Sequence, residues 1–355
     1  MGTAARILPA ATADRNIRLL KDKAEIYQHT RNLANGLRTE SLPEVVYRPA
    51  RREDFLEMST LIRSAFDGLL KERGFWDLSP FASSRLPPLS PSGPFPWFEL
   101  GLKEDSEGFW VAEVGHVMAG FALSWVRGSL WYLAHLFVRP DHQGRDIGRN
   151  LMDRAMRHGK DSDIKNRALS TLAYNPVSIS LYSRYGIYPR EPLSWMEGPT
   201  ESVKAINEAS KLDVQRADNF QTVRKNLTEI DTSCIGYPRE KNHEFLFSLP
   251  ADKCYIYSLH DRPVGYAYVA QNGRVGPAAT VSQDSFIPVI ESAVGLAARE
   301  EKAFSVSLNA TGSNEELMKL AFRLGMKIRD NFLLMSSKPF SNISRYLLYP
   351  TGAML

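Results

Sequence analysis

The sequence predicts an α/β protein made of two tandem copies of one fold, each a mixed twisted sheet flanked by helices, behind an N-terminal helical extension. Three observations carry this. The length of 355 residues suits two domains of roughly 100–200 residues better than one. Strand and helix periodicities alternate along the chain and run twice through a similar order. LYSRYGI (181–187) is matched in spacing by LAFRLGM (320–326), each a short helix that ends at glycine and returns to a strand. The expected organisation is an extension over 1–43, a first domain over 44–200 and a second over 210–355.

Taken in order, Ile17, Leu20, Ala24 and Tyr27 recur at helical intervals within 17–37, and Gly36 stops the pattern. VVYRPA (45–50) reads as a short strand. Phe55, Met58, Leu61, Ile62, Ala65, Phe66 and Leu69 then form a helical stripe. Prolines punctuate SPFASSRLPPLSPSGPFPW (79–97), which predicts a long surface loop. Its aromatic residues Phe95 and Trp97, with Phe98 just beyond, favour a packed lid. Three strands follow within 109–114, 117–128 and 129–140, rich in branched and aromatic residues. A helix from Gly148 to Gly159, a buried strand over 169–174 and a helix between Pro176 and Gly186 complete the first copy. In the second, strands within 255–279, a helix over 285–299 and a strand over 303–309 repeat the order.

Composition narrows the class. With 43% hydrophobic and 24% charged residues, the chain is neither disordered nor membrane-like. Lys+Arg 44 against Asp+Glu 40 gives +4 without a dense basic run, which argues against a nucleic-acid partner. No stretch reaches the roughly 20 apolar residues that span a bilayer, so no membrane partner is expected. Cys234 and Cys254 are too few to staple so long a chain and read as reduced thiols. The first residues lack an apolar signal core, and Arg6 stands where myristoylation would need Ser or Thr. A cytoplasmic location is expected, although the basic, acid-poor start is a feature that organelle transit peptides share.

The chemically informative segment is LFVRPDHQGRDIGRNLMDRAM (136–156), a strand, a polar turn after Pro140 and a glycine-containing loop that opens into a helix. Such a loop offers unpaired backbone N–H groups at the positive end of a helix dipole, which suits phosphate oxygens. Glycine matters because a Cβ would hold the ligand off the backbone. The run Gln143-Gly144-Arg145-Asp146-Ile147-Gly148 resembles the pyrophosphate-binding motif of the GCN5-related N-acetyltransferases. Downstream, Asn175-Pro176-Val177-Ser178, Leu181-Tyr182 and Gly186-Ile187 are similar to a second element of that family. The resemblance covers 45–198 and, as a diverged copy, 210–340.

The resemblance implies acetyl-CoA as co-substrate and no metal. It places the cofactor along Leu136, Phe137 and Val138, over the loop from Gln143 and Gly144 through Arg145, Asp146, Ile147 and Gly148 to Arg149, and against Asn175 and Tyr182. It also implies direct attack by a neutral primary amine, with Tyr182 as the acid that protonates the leaving thiolate, though a tyrosine on an amphipathic helix also suits a core. His135 stands where several family members carry a catalytic Glu and is the candidate base, with an ordinary pKa of about 6.5; a lone strand histidine also suits a structural role. Asp146 replaces the family's usual glycine. It either caps the helix with its carboxylate toward solvent or sets a negative charge against the pyrophosphate.

The second copy reads Ala278-Ala279-Thr280-Val281-Ser282-Gln283-Asp284-Ser285 where the loop belongs, without glycine or positive charge. Ala321 aligns with Tyr182, and Asn309 reads as the surviving asparagine. The second domain is therefore expected to be non-catalytic, buttressing the first or forming part of its acceptor pocket. Phe66, Trp76, Phe95, Trp97, Trp125 and Tyr132 are candidate walls of that pocket and equally candidate core residues. The expected function is acetyl-CoA-dependent N-acetylation of a small-molecule or peptide amine at one site between residues 135 and 186. A catalytically degenerate acyl-CoA-binding sensor or scaffold is the alternative.

Overall fold

The computed structural model describes residues 43–72, 95–204 and 212–349. The expected helix over 17–37, Trp76 and most of the expected loop over 79–97 lie outside the described residues.

The first half runs β1 (Val45–Pro49), α1 (Phe55–Glu72), α2 (Pro96–Glu104), β2 (Phe109–Val114), β3 (Val117–Arg127), β4 (Leu130–Val138), α3 (Ile147–Ala155), β5 (Asn166–Leu172), α4 (Pro176–Arg184) and β6 (Tyr188–Pro199). Most of these stand where periodicity places them. The exception is α2, because its start falls inside the proline run that predicts a loop. Its last proline, Pro96, sits at the first helical position, where a missing N–H costs nothing. The helix it starts buries Trp97, Phe98 and Leu100.

A short α5 (Thr200–Lys204) leads toward the second half, β7 (Asp213–Ala217), α6 (Phe220–Ile235), α7 (Glu240–Ser248), β8 (Asp252–Leu259), β9 (Arg262–Ala270), β10 (Val275–Thr280), α8 (Gln283–Ala298), β11 (Ser305–Thr311), α9 (Glu315–Arg323) and β12 (Lys327–Ser336). From β7 to β12 the elements repeat the order of β1 to β6. A final β13 (Tyr346–Leu347) has no counterpart in the first half.

The strands do not sort by half. One sheet has the order β1-β2-β3-β4-β5-β12-β6-β11, the other β13-β10-β9-β8-β7. β12 is thus inserted between β5 and β6, with Phe332 opposite Leu172 on one side and Leu193 on the other. In the first sheet β4 and β5 pair parallel while their neighbours pair antiparallel. In the second, antiparallel pairs are joined to β11 by a single parallel bridge, Arg274 to Ser307.

One hydrophobic core continues through both halves, since Phe55, Trp125 and Tyr132 share a cluster with Leu227, Tyr266 and Tyr346. A second cluster lies under α8, around Val289, Ala293, Leu308 and Leu320. Buried Arg127 reinforces the join, pairing with Asp105 at 2.9 Å and donating from Nε to Asn242 on α7. Removing one partner of such a buried pair costs about 3–5 kcal/mol. The described residues from Val46 onward accordingly form one compact unit.

Candidate active site

A register shift opens the site. On β3, Leu123 pairs with His135 but Ser124 pairs with Leu133, so Ala134 is an extra residue, a β-bulge on β4. The parallel pairing of β4 with β5 ends at the neighbouring residue, Leu133 opposite Leu169. Beyond it β4 continues to Val138 while β5 stays tied to β12 on its far edge. The facing edges of 134–138 and 170–172 have no ladder partner in each other, and a cavity of about 890 Å³ lies between them.

At one end of the cavity stands the start of α3. His142, Gln143, Gly144, Asp146, Ile147, Gly148 and Arg149 line it; Arg145 does not, and its charge acts instead on Tyr47. Arg139 and His142 both contact the Asp141 carboxylate, and His142 first, then Arg139, hold its pKa down to about 2. Gln143 folds back so that Nε2 donates to the Val138 carbonyl. The Asp146 carbonyl accepts from Asn150 N–H, which leaves the N–H groups of 147–149 as the orphan donors of a helix start.

The expectation that Asp146 caps this helix through its side chain is not met. Its carboxylate caps nothing, is 74% exposed and lies 3.8 Å from Arg149. The residue sits at φ 58°, ψ 10°, the left-handed region, which glycine favours and Asp tolerates better than most residues. Asp146 thus makes a backbone bend that glycine would make most easily. Gly148 is different, because its φ is ordinary and a Cβ there would meet only Val138 and Leu181, at 3.6 and 3.8 Å. Protein packing does not demand glycine at 148, and the space it keeps open adjoins the cavity.

At the mouth of α4, Asn175 caps the helix by accepting from Ser178 N–H at 3.2 Å, and Pro176 fills the first helical position. Tyr182, one side-chain layer deeper, is buried and lines the cavity; burial pushes its phenol up to about 12, against a smaller effect of a hydrogen bond with Ser178. It is a neutral proton donor at any working pH. His135 also lines the cavity, packed among Trp97, Phe98, Phe121 and Phe137, with ring Nε2 buried and without a partner. The ordinary imidazole pKa expected for it is overturned, since burial among these rings pushes it down to about 3.

In the second half the corresponding groove is filled by the chain itself. β13 pairs with the edge of β10 that faces β11, Ala278 to Leu347 and Ala279 to Tyr346. The 181/320 spacing places Asn314, rather than Asn309, opposite Asn175. Asn314 caps α9 through Leu317 N–H and donates from Nδ2 to the Ser344 carbonyl, while Asn309 donates to the Tyr349 carbonyl. The start of α8 is capped by its own Ser282, which accepts from Ser285 N–H.

Of the candidate pocket walls, Phe66, Phe95 and Trp97 line the cavity, whereas Trp125 and Tyr132 are core. Beside Phe66, the face of α1 also brings Ile62, Ala65 and Leu69 to the cavity, residues that the sequence shows as a helical stripe but not as a cavity wall. Phe332 reaches the site only through the strand insertion, which leaves no local sequence signal.

With the geometry in place, comparison with known proteins is informative. The sequence profile of the acetyltransferase (GNAT) family matches residues 74–187. Over 102 residues the chain is 28% identical to an uncharacterized N-acetyltransferase of Methanocaldococcus jannaschii, covering 27% of this chain. It spans only 45% of that relative's length. A Pyrococcus horikoshii structure assigned as an acetyltransferase covers 89% of this chain and 98% of its own at TM-score 0.64 and 14% identity. A tandem GNAT protein from the clavulanic acid biosynthesis pathway covers 83% and 99% at TM-score 0.53 and 14% identity. At these identities the two structures speak to the fold alone. Profile, relative and shared fold agree with the site's architecture: residues 74–187, in the half that holds the cavity, are similar to the acetyltransferase (GNAT) family, and the chain shares the fold of the two solved structures.

Proposed function

We propose that the protein is an acetyl-CoA-dependent N-acetyltransferase that acetylates a primary amine by direct attack, with one active site in the domain over 44–200 and a degenerate second copy over 210–355. The observation that carries this is the splayed edge of β4 running into the uncapped start of α3, beside the buried phenol of Tyr182.

Acetyl-CoA fits the residues present: orphan helix N–H groups for its phosphates, the Gly148 space beside them and a free strand edge for its extended arm. When bound, it supplies the thioester and the thiol leaving group. The chain's own residues then have distinct tasks. The amides of 144 and 147–149, with Arg149, hold the anionic end; Gln143, Arg145 and Asp146 shape that loop. The edge of Leu136, Phe137 and Val138 aligns the arm, and Asn175, whose Oδ1 is committed to its cap, donates from Nδ2. Tyr182 gives its proton to the departing sulfur, and His135, uncharged in its aromatic surround, accepts a hydrogen bond from the attacking amine, whose proton passes on to water.

The single-site reading draws on the second half, where β13 lies on the equivalent edge and Ser282 caps the equivalent helix. The test is to follow thiol release from acetyl-CoA with a panel of amines and to titrate acetyl-CoA calorimetrically. Turnover with one cofactor per chain is expected. Tight binding without turnover for any amine would transfer the assignment to an acyl-CoA sensor.

A further inference from the structure

The cavity is chemically divided. Its charged lining residues, Asp146, Arg149 and Arg184, belong to the α3 and α4 ends, together with His142. The wall formed by α1, the start of α2 and the facing side of β4 is apolar and largely aromatic: Phe66, Leu69, Phe95, Trp97 and Phe137, with the uncharged ring of His135 among them. These rings make a continuous face rather than isolated contacts. Phe95 stacks on Trp97 at 4.7 Å and 15°, Trp97 on His135 at 6.1 Å and 20°, and Phe66 lies 5.9 Å from Phe137. Phe332 adds a further apolar surface from the inserted strand.

We propose that this wall is the acceptor subsite and that it selects an amine carried on a flat aromatic body, of the arylalkylamine kind, over polycations such as polyamines and amino sugars. The inference rests on the acetyltransferase reading and refines it by substrate class. An aromatic body gains by offset stacking and by leaving water, and needs only its one amine to reach His135. A polycation would have to strip water from every further ammonium against a surface that offers rings and an uncharged imidazole. Among the described lining residues, the single carboxylate, Asp146, stands at the phosphate end. Phe66 is the residue to test, because it is half-buried on the wall and packs against the core without being one of its fully buried members.

The experiment compares tryptamine and phenylethylamine with spermidine and kanamycin, using the full chain. Acetyl transfer is read by thiol release, and binding of each amine alone by calorimetry. The expected result is a kcat/KM at least tenfold higher for the aromatic amines, with Phe66→Ala raising KM for tryptamine about tenfold and leaving kcat nearly unchanged, the pattern of lost uniform binding. Phe66→Leu should recover part of the loss. Preference for spermidine or kanamycin, or equal rates for all four, would overturn the proposal while leaving acetyl transfer standing. Tryptamine binding that Phe66→Ala weakens, without turnover of any amine, would sustain the subsite and remove the acetyltransferase reading. Absence of both turnover and binding of any aromatic amine would overturn the proposal.

Discussion

Asn314 and Ser344 are joined by a hydrogen bond from the asparagine Nδ2 to the backbone carbonyl, so a side chain that caps α9 also grips the helical turn over Ile343–Arg345 that leads into β13. Asn175 caps α4 in the same way beside the open cavity of the first half. The two asparagines should therefore respond differently to the same substitution. Asn175→Ala should weaken acetyl-CoA binding by about tenfold, roughly 1.4 kcal/mol, with a smaller loss of stability. Asn314→Ala should leave cofactor affinity unchanged and lower stability by about 1–2 kcal/mol through the lost cap and the orphaned carbonyl. Calorimetric affinity and thermal melting of the two variants decide the matter; the same loss of cofactor affinity in both would place a second cofactor site in the second half.

The loop offers a pair of contrasting substitutions. Gly148→Val fits the protein's own packing and should still weaken acetyl-CoA binding by at least tenfold, about 1.4 kcal/mol, because the new side chain occupies ligand space. Asp146→Gly removes a left-handed non-glycine residue but enlarges the unfolded ensemble, two effects of about 1 kcal/mol that nearly cancel. Affinity should rise less than tenfold, and the rise should fade with added salt, because the carboxylate is exposed and lies beside Arg149. Asp146→Ala, which keeps the strain and loses the local polar group, should melt below both.

Tyr182→Phe keeps the ring and removes the hydroxyl. Melting should hardly move, since the loss is a hydrogen bond worth about 0.5–1.5 kcal/mol at most. kcat should fall about 100-fold if the phenol protonates the leaving sulfur. Because burial holds the phenol up to about 12, the wild-type rate should show no tyrosine ionisation below pH 10. An undiminished kcat in the variant returns Tyr182 to the core.

His135 gives a signature in pH. Its folded pKa of about 3 lies below the ordinary value of about 6.5, so folding favours the uncharged ring. The unfolded chain then binds the extra proton first. The stability this group contributes is complete above pH 6.5 and is lost as pH falls toward 3, with a slope of at most about 1.4 kcal/mol per pH unit. His135→Gln should flatten that part of the stability profile in urea titrations across pH. It should also leave the acid limb of the rate profile between pH 6 and 8 in place, since that limb belongs to the amine substrate. A limb near 6.5 that vanishes in the variant would mean that the imidazole is more hydrated than its aromatic surroundings imply.

The parts of this molecule that sequence could show are those built from local pattern. The strands over 109–138, the helix after Gly144 and the asparagine–proline start of α4 follow from periodicity, from glycine and proline chemistry and from capping, all of which act within a few residues. α2 escaped because a proline at the first turn of a helix is indistinguishable from one in a loop until the burial of Trp97 and Phe98 is known. Phe332 escaped for a deeper reason. An alternating strand specifies which face it buries, not which edge it joins, so the placement of β12 beside Leu172 is a property of the whole chain. His135 lay between: its position was legible, but its lowered proton affinity comes from rings contributed by α2, β3 and β4 together.

The inserted strand also governs the order in which the protein can be made. While the chain emerges from the ribosome, β5 and β6 are complete long before Lys327 is added, yet each keeps one edge without its final partner until β12 arrives. For that interval the half that carries the cavity presents bare strand edges, the surfaces on which nascent chains aggregate or recruit chaperones. Early release of the polypeptide before β12 would leave the phosphate loop intact and the sheet beside it unsealed, so a prematurely terminated product should be removed by quality control rather than persist as a smaller enzyme.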